Sequence, residues 1–415
     1  MAEFSRIPVG ELVASGEAEL KTGPFGTQLK ASDYTENGTP VINVRNIGFG
    51  SIKADKLEFI SPSTRDRLSS HVLRNGDIVF GRKGAVERHV FIRREQNGWF
   101  QGSDCLRLRF ASHRVEPLFA SYYFLTSEHQ RWMMNQCSHG ATMASLNQGI
   151  LERIELPLPS LPVQQRIAGI LSAYDELIEN SHRRIKILEA MARALYREWF
   201  VHFRFPGHEN QPRVASPLGE IPQGWEVKKL KDVCRLTMGQ SPKSEFYNEV
   251  GDGVPFHQGV TDFGDRFPTD RLFCTAEGRV GQAGDILFSV RAPVGRMNIA
   301  NKKIILGRGL SAIRHNDDSQ AFLWEQLRNR FTKDDMMGNG AIFASVTKDD
   351  MQGIELVCPP SSVVEAATKH FEPLHSEIAT LSQQIQNLRR TRDLLLPRLL
   401  SGQIDVSNLP EPVSA

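Results

Sequence analysis

The chain has 415 residues, 24% of them charged and 40% hydrophobic, with 50 basic against 48 acidic side chains and a formal net charge of +2. That length implies two or three domains with cores of their own, and the balanced charge leaves any nucleic-acid binding to the local clustering of basic residues. No stretch approaches the roughly eighteen consecutive apolar residues of a membrane span. The opening MAEFSRIPVG lacks a leader pattern, and five scattered cysteines (Cys105, Cys137, Cys234, Cys274, Cys358) form no C-x-x-C pair. Together these predict a cytoplasmic protein in a reducing compartment, with no membrane segment, disulfide framework or zinc site.

Taken in chain order, residues 1–157 read as a mixed α/β domain. Short β-like runs such as Pro40–Val44, Asp77–Phe80 and Cys105–Phe110 alternate with turns rich in Gly, Asn and Asp, and Pro117 to Met134 reads as helix. These runs predict a curved sheet. Residues 158–205 form a helical spacer introduced by Pro157-Leu158-Pro159-Ser160-Leu161-Pro162, with Ser160 or Pro162 at its start. Residues 206–223, punctuated by Pro206, Pro212, Pro217 and Pro222, read as a linker. Trp225 opens a second mixed domain over 224–357, in which Ala321 to Phe331 reads as helix. A second spacer covers 358–402 and a tail 403–415.

The second half repeats the first. Asn75-Gly76-Asp77-Ile78-Val79-Phe80 returns as Ala283-Gly284-Asp285-Ile286-Leu287-Phe288. His139-Gly140-Ala141 and Ala144-Ser145-Leu146 return as Asn339-Gly340-Ala341 and Ala344-Ser345-Val346, and Ile154-Glu155-Leu156 as Ile354-Glu355-Leu356. Three ordered echoes mark two homologous units.

The spacers carry the sharpest signal. Leu171, Tyr174, Ile178, Ser181, Ile185, Leu188, Ala192, Leu195 and Trp199 step by alternating 3 and 4. Phe371, Leu374, Ile378, Leu381, Ile385, Leu388, Arg392, Leu395 and Leu399 do the same in the second spacer, in matched register. Leu171 to Trp199 alone would span roughly 43 Å. Two matched seams predict an antiparallel coiled coil between the helices. The fold expected is therefore α+β: two homologous mixed α/β domains joined by two long paired helices, in effect a ruler. Two residues break the ideal pattern: Pro373, expected to set the start of the second helix, and Arg392 within the seam.

No catalytic constellation emerges. There is no G-x-x-x-x-G-K-[ST], no Asn-Pro-Pro-Tyr and no H-E-x-x-H. Gly48-Phe49-Gly50 reads as a turn, and Glu226-Val227-Lys228 as a strand opening after the linker rather than a nuclease motif. The sequence thus predicts no enzyme and no metal site.

Four local signatures resemble the specificity subunit of type I restriction–modification systems. They are Leu156-Pro157-Leu158-Pro159 with Pro162-Val163-Gln164-Gln165-Arg166-Ile167-Ala168, then Tyr196-Arg197-Glu198-Trp199-Phe200. They continue with Leu218-Gly219-Glu220-Ile221-Pro222-Gln223-Gly224-Trp225 and Leu395-Leu396-Pro397-Arg398-Leu399-Leu400-Ser401-Gly402. Departures are Gln164, where the family usually has Glu, and the degraded Val363-Val364-Glu365-Ala366-Ala367 in the second copy. The resemblance implies that each mixed domain is a target recognition domain for one half of a bipartite, asymmetric site on double-stranded DNA. It further implies that the helices set the gap and dock two methyltransferase subunits, and through these the restriction subunits. S-adenosylmethionine, ATP and Mg would then belong to the partners, with no cofactor in this chain. Two alternatives are a coiled-coil interaction scaffold without DNA function and the recognition part of another DNA-modifying enzyme.

Under the family reading, phosphate contacts supply affinity and base edges supply sequence choice. The candidates are, first, the glycine-rich turns with Arg82, Lys83 and Arg88 and with Ser289, Arg291 and Arg296, since Arg grips guanine with two parallel hydrogen bonds. Second are the polar loops with Thr27, Gln28, Lys30, Asn43, Arg45 and Asn46 and with Gln240, Ser241, Lys243, His257 and Gln258. Third are His139, Thr142 and Asn339.

Overall fold

The computed structural model describes residues 4–137, 144–331, 336–337, 341–342, 345–407 and 409. The chain divides into two compact units, residues 1–178 with 387–415 and residues 179–386. The division falls inside both long helices, so each unit contains a stretch of each.

In the first unit, Cys105–Phe110 pairs antiparallel with Ala18–Thr22 on one side and Ile78–Gly81 on the other. His89–Phe91 and Phe49–Gly50 complete a five-stranded sheet. A second sheet orders Tyr34–Thr35, Glu58–Ile60, Thr39–Ile42 and Phe100–Gln101, the last pair parallel. The second unit repeats both. Cys234–Met238, Leu310–His315, Ile286–Ser289 and Met297–Ile299 stand in the same order. Tyr247–Asn248, Phe273–Cys274, Val254–His257 and Ile304–Leu306 follow with the last two again parallel, and Val280–Gly281 adds a fifth, antiparallel strand at the edge. Each domain thus has two larger sheets where the sequence suggested one curved sheet.

The Gly-Asp-Ile motif that announced the repeat is a structural device. Asp77 accepts from the Arg74 N–H at 2.7 Å and from Arg109 Nε at 2.6 Å. Asp285 accepts from the Gln282 N–H at 2.7 Å and from Arg314 Nε at 2.6 Å. Gly76 and Gly284 precede them at φ 92° and 86°, a conformation that a Cβ would strain. The carboxylate closes the turn and ties its strand to the neighbouring one through a charge-assisted bond.

Three expectations need adjusting. The helix read over Pro117 to Met134 is two helices, Pro117–Phe124 and Ser127–Cys137. Between them, Thr126 donates to the Tyr123 carbonyl at 2.7 Å and accepts from the His129 N–H at 3.3 Å. The stretch read as a linker holds a hairpin of Arg213–Ser216 with Gly219–Pro222. Pro373 does not set the start of the second spacer helix, which runs from Ser361 to Leu400 without a break.

The magnitudes explain that last result. A mid-helix proline costs about 3 kcal/mol. The seam residues Phe371, Ile378, Leu381, Ile385 and Leu399 are all buried, and five such side chains contribute on the order of 10 kcal/mol. Pro373 itself is exposed, leaving the Lys369 carbonyl without its helical N–H donor.

The first spacer helix, Leu161–Tyr196, buries Leu171, Ile178, Ser181 and Ala192 and half-buries Tyr174, Ile185, Leu188 and Leu195. A single π turn over Arg197–Val201 then carries Trp199 inward. In the second helix Leu374, Leu388 and Leu395 are half-buried. Pairing is antiparallel within each unit. In the first, Ile167 and Leu171 share a core with Leu395 and Leu399, and Asp175 meets Arg392 at 2.6 Å. In the second, Arg184 meets Glu377, and the Trp199 ring lies 5.8 Å from that of His370.

The helix ends also close the domains. Phe203 and Phe205, beyond the first helix, pack on Trp225 at 5.4 and 5.2 Å in the second unit. Beyond the second helix, Ile404 and Val406 join the core of the first unit together with Phe4.

Gln164, the departure from the family pattern, is fully buried. Its Oε1 accepts from the Glu116 N–H at 2.9 Å, while Nε2 donates to the Arg114 and Pro159 carbonyls, both at 2.8 Å. A carboxylate could keep the first bond and neither of the others. Gln164→Glu should therefore destabilise the first unit by about 3 kcal/mol, read as a lower urea midpoint; an unchanged midpoint would refute the role.

Candidate nucleic-acid interface

In both units the interface candidates gather where the two sheets meet, and glycine makes the meeting possible. A Cβ on Gly23 would lie 2.0 Å from the Gly102 carbonyl oxygen, and one on Gly239 would lie 2.2 Å from that of Gly307. The Gly102 N–H donates to Ile42 at 2.9 Å, and the Gly307 N–H to His257 at 2.8 Å. The same crossing thus recurs, matching Ile42 to His257, Asn43 to Gln258 and Ser103 to Arg308.

The basic turns leave this crossing in matched fashion. Arg82 donates its N–H to Asp104 at 2.9 Å and accepts from the Leu146 N–H at 2.8 Å; Val290 does so with Gly309 and Val346 at 2.9 and 2.8 Å. Lys83 and Arg291 bridge Ser145 and Ser345 respectively. The structural counterpart of Arg291 is therefore Lys83, and that of Arg82 is Val290. Lys83, Arg291 and Arg296 are exposed, and Arg82 is half-exposed. Lys83 has an ion pair with Asp104 at 3.4 Å, but both side chains are more than half exposed, so the pair holds it weakly. Arg88 stands over the exposed Phe49 ring at 5.1 Å.

The polar loops divide into reachable and unreachable residues. Thr27, Gln28, Lys30, Gln240, Lys243 and Gln258 are exposed, and Ser241 is half-exposed. Arg67 pins the first loop by donating to the Gln28 carbonyl at 2.8 Å and pairing with Asp33 at 3.1 Å. The Lys30 N–H, and after it Arg67, holds the Asp33 carboxyl below its ordinary range. The Ser241 hydroxyl accepts from the Arg308 N–H at 3.1 Å. Asn43 and Arg45 both turn to Glu58, at 2.6 and 2.7 Å. That carboxylate opposes an anionic partner at this spot.

Three candidates are corrected. Asn46 is buried, donating to the Lys53 and Asp55 carbonyls at 3.0 and 3.2 Å and accepting from the Asn43 N–H at 3.1 Å; it shapes the loop. Ser289 is buried, with its hydroxyl donating to Pro293 at 2.6 Å and accepting from the Arg296 N–H at 2.9 Å, so it braces the turn. His257 is fully buried, 3.9 Å from Asp262 and 3.6 Å from Asp270. Desolvation lowers its pKa despite those carboxylates. None of the three can reach a base edge. His139, Thr142 and Asn339 lie outside the described residues.

One residue was missed. Arg308 is exposed between Gly307 and Gly309, which are both buried. Its own N–H engages Ser241, the Gly309 N–H reaches the Gln258 carbonyl at 3.1 Å, and the Gly309 carbonyl holds Val290 next to Arg291. It joins the polar loop to the basic turn. The Gly-Arg-Gly string was the available signal, since a cation flanked by glycines lies on backbone that can approach a ligand closely.

These features define a tandem recognition protein: two copies of one domain, each presenting a polar and basic crossing, built on a shared helix pair. The sequence profile of the type I restriction modification DNA specificity domain matches residues 20–190 and again 222–390. A type I restriction enzyme specificity subunit of Methanocaldococcus jannaschii, MjaX, is 30% identical over 97% of both chains. The HindI specificity subunit of Haemophilus influenzae is 23% identical over 80% of this chain and 87% of its own. The solved S subunit of the M. genitalium type I system superposes with a TM-score of 0.62 at 16% identity, over 95% of this chain and 96% of that one. The chain belongs to the type I restriction–modification specificity subunits. Its activity is therefore DNA sequence recognition within a multi-subunit enzyme, without a catalytic centre of its own.

If the crossings face DNA, removing one phosphate-contacting cation should shallow the salt dependence of binding by about one unit of slope. Lys83→Ala, Arg291→Ala and Arg308→Ala should each do so in the assembled complex, while His257→Gln should leave the slope unchanged. Mobility shifts from 50 to 200 mM salt measure it; a wild-type slope in all three cation variants would remove the crossings from the interface.

Proposed function

We propose that each domain reads one half of a bipartite, asymmetric site on double-stranded DNA and that the helix pair fixes the unread gap. The observation that carries this is the duplicated crossing, with Lys83 and Arg291 on the same bridge of the same turn. Two readers joined through continuous helices are satisfied together only at particular separations and helical phases of the duplex. Bases are chosen by the exposed amides and cations, Gln28, Gln240, Gln258, Arg291 and Arg308 among them, and the remaining cations hold phosphates.

The same helices offer a docking face. In the first unit Leu177 and Leu394 are each 55% exposed, and in the second Ile187 and Met191 are 60% and 52% exposed. Apolar residues left in water on helices that already bury a full seam fit protein partners. These are two methyltransferase subunits and, through them, the restriction subunits. S-adenosylmethionine, ATP and Mg belong to those partners. No helix among the described residues is long and apolar enough to cross a membrane, which accords with work on DNA in the cytoplasm.

The test is a strand-resolved map of methylated adenines in cells carrying the neighbouring methyltransferase with and without this chain. A split motif of fixed gap should appear only with the chain present; an unchanged map from an assembled complex would refute the reading. Ile187→Asp should reduce recovery of the methyltransferase with this chain several-fold while leaving its own unfolding midpoint unchanged.

A further inference from the structure

Each domain helix is joined to a spacer helix by a buried polar contact, and the two contacts occupy the same place in the repeat. The buried runs Phe119–Phe124 and Phe322–Leu327 match, which aligns Tyr122 with Glu325. On the spacer helices Asp175 and His375 also match, each following a seam residue, Tyr174 or Leu374.

In the first unit the Tyr122 hydroxyl donates to Asp175 at 2.7 Å, and Arg392 donates to the other oxygen of that carboxylate at 2.6 Å. In the second, His375 Nε2 lies 3.0 Å from Glu325 and Nδ1 lies 2.6 Å from Arg266 Nη2. A guanidinium only donates, so Nδ1 accepts and the ring proton sits on Nε2, donating to Glu325. Arg266 is 4% exposed and stacks over Trp324 at 5.2 Å. Beside it Arg328 meets Glu189 of the first spacer helix at 3.2 Å.

We propose that these contacts are two keyed joints, Tyr122–Asp175–Arg392 and Glu325–His375–Arg266, each positioning its reading domain on its own stretch of spacer helix and neither interchangeable with the other. The proposal rests on the domains reading DNA. The chemistry enforces the key. A carboxylate at 375 would face the Glu325 carboxylate, and a phenol at 325 would remove the carboxylate whose charge acts on buried Arg266. Each mismatch buries a group without its partner. The joints differ in a second way. Protonating His375 would put a hydrogen on Nδ1, where Arg266 already points one, and the groups around it are Glu325, Arg266, Arg328 and Glu189. Desolvation lowers the His375 pKa, and Arg266 adds to the shift. The joint's contribution to stability is therefore fully present above the ordinary histidine value of about 6.5 and is lost as pH falls from there through the lowered value in the fold. No histidine takes part in the first joint.

The experiment is a key exchange in the complex assembled with the methyltransferase. Duplex affinity and thermal unfolding are measured for wild type, Glu325→Tyr, His375→Asp and the double variant, at pH 7.5 and 5.5. Each single variant should lose on the order of tenfold in affinity. The double variant, which recreates Tyr–Asp–Arg in the second unit, should recover most of it, and its unfolding temperature should fall less than that of wild type between pH 7.5 and 5.5. A double variant no better than the sum of the singles overturns the joints. So does coupling seen in unfolding but absent from affinity, or a double variant as acid-sensitive as wild type. A wild-type complex that binds no duplex overturns the DNA reading, and the joints with it.

Discussion

The paired heptad seam is the constraint on which the other features depend. The helices do not merely connect domains; they complete them. Ile167, Ala168, Leu171, Leu399 and Leu400 belong to the core of the first unit, and Ala192, Trp199, Ala367 and Phe371 to a core of the second. Unpairing the helices would expose both cores at once. This coupling is why a proline mid-helix is tolerated, because the apolar burial it would disrupt outweighs the lost hydrogen bond several times over.

Comparing the two copies separates scaffold from reader. What recurs is backbone engineering: Gly23 against Gly102 and Gly239 against Gly307, Asp77 with Arg109 and Asp285 with Arg314. These sites admit one residue type because a Cβ or a missing charge would break a turn or a sheet crossing. What differs lies at the tips: Ser103 where the partner copy has Arg308, and Lys83 where it has Arg291. Lys83, Arg291 and Arg308 are exposed and Ser103 is half-buried, so folding places little demand on these side chains. Two domains that share a chassis can then read different half-sites, as an asymmetric site requires.

The sequence showed the helices, their seam and the duplication plainly, because period and repeat are carried by residue type alone. It showed the basic turns as well: the offset that carries Asp77 to Asp285 carries Lys83 to Arg291, and the bridges to Ser145 and Ser345 place those two residues alike. Burial was the hidden quantity. Asn46, Ser289 and His257 have base-reading chemistry, yet each spends it within the fold, and only tertiary contacts reveal that. Arg308 was overlooked for the reverse reason. It lies far along the chain from Gln258, Ser241 and Arg291, and parallel pairing of Val254–His257 with Ile304–Leu306 brings them together. Non-local strand pairing leaves little trace in local pattern.

The polar joints fit the same division of labour. Apolar residues in place of every member of a joint would hold the domain helix to its spacer at least as firmly, since a buried ionic group seldom adds stability over a well-packed apolar one. Apolar packing, however, tolerates small slips and rotations because it has no preferred direction. Directional bonds from Tyr122 to Asp175 and from His375 to Glu325 admit one seating, as a polar residue in a coiled coil admits one register. Under the function proposed above, in which the output is the spacing and phase of two readers, a fixed seating has value that extra stability lacks. The third partners support this view. Arg392 comes from the opposing spacer helix and Arg266 from the domain's own loop. The repeat has thus kept the joint's position while changing its chemistry, as expected where fixing orientation matters more than the particular residues that fix it.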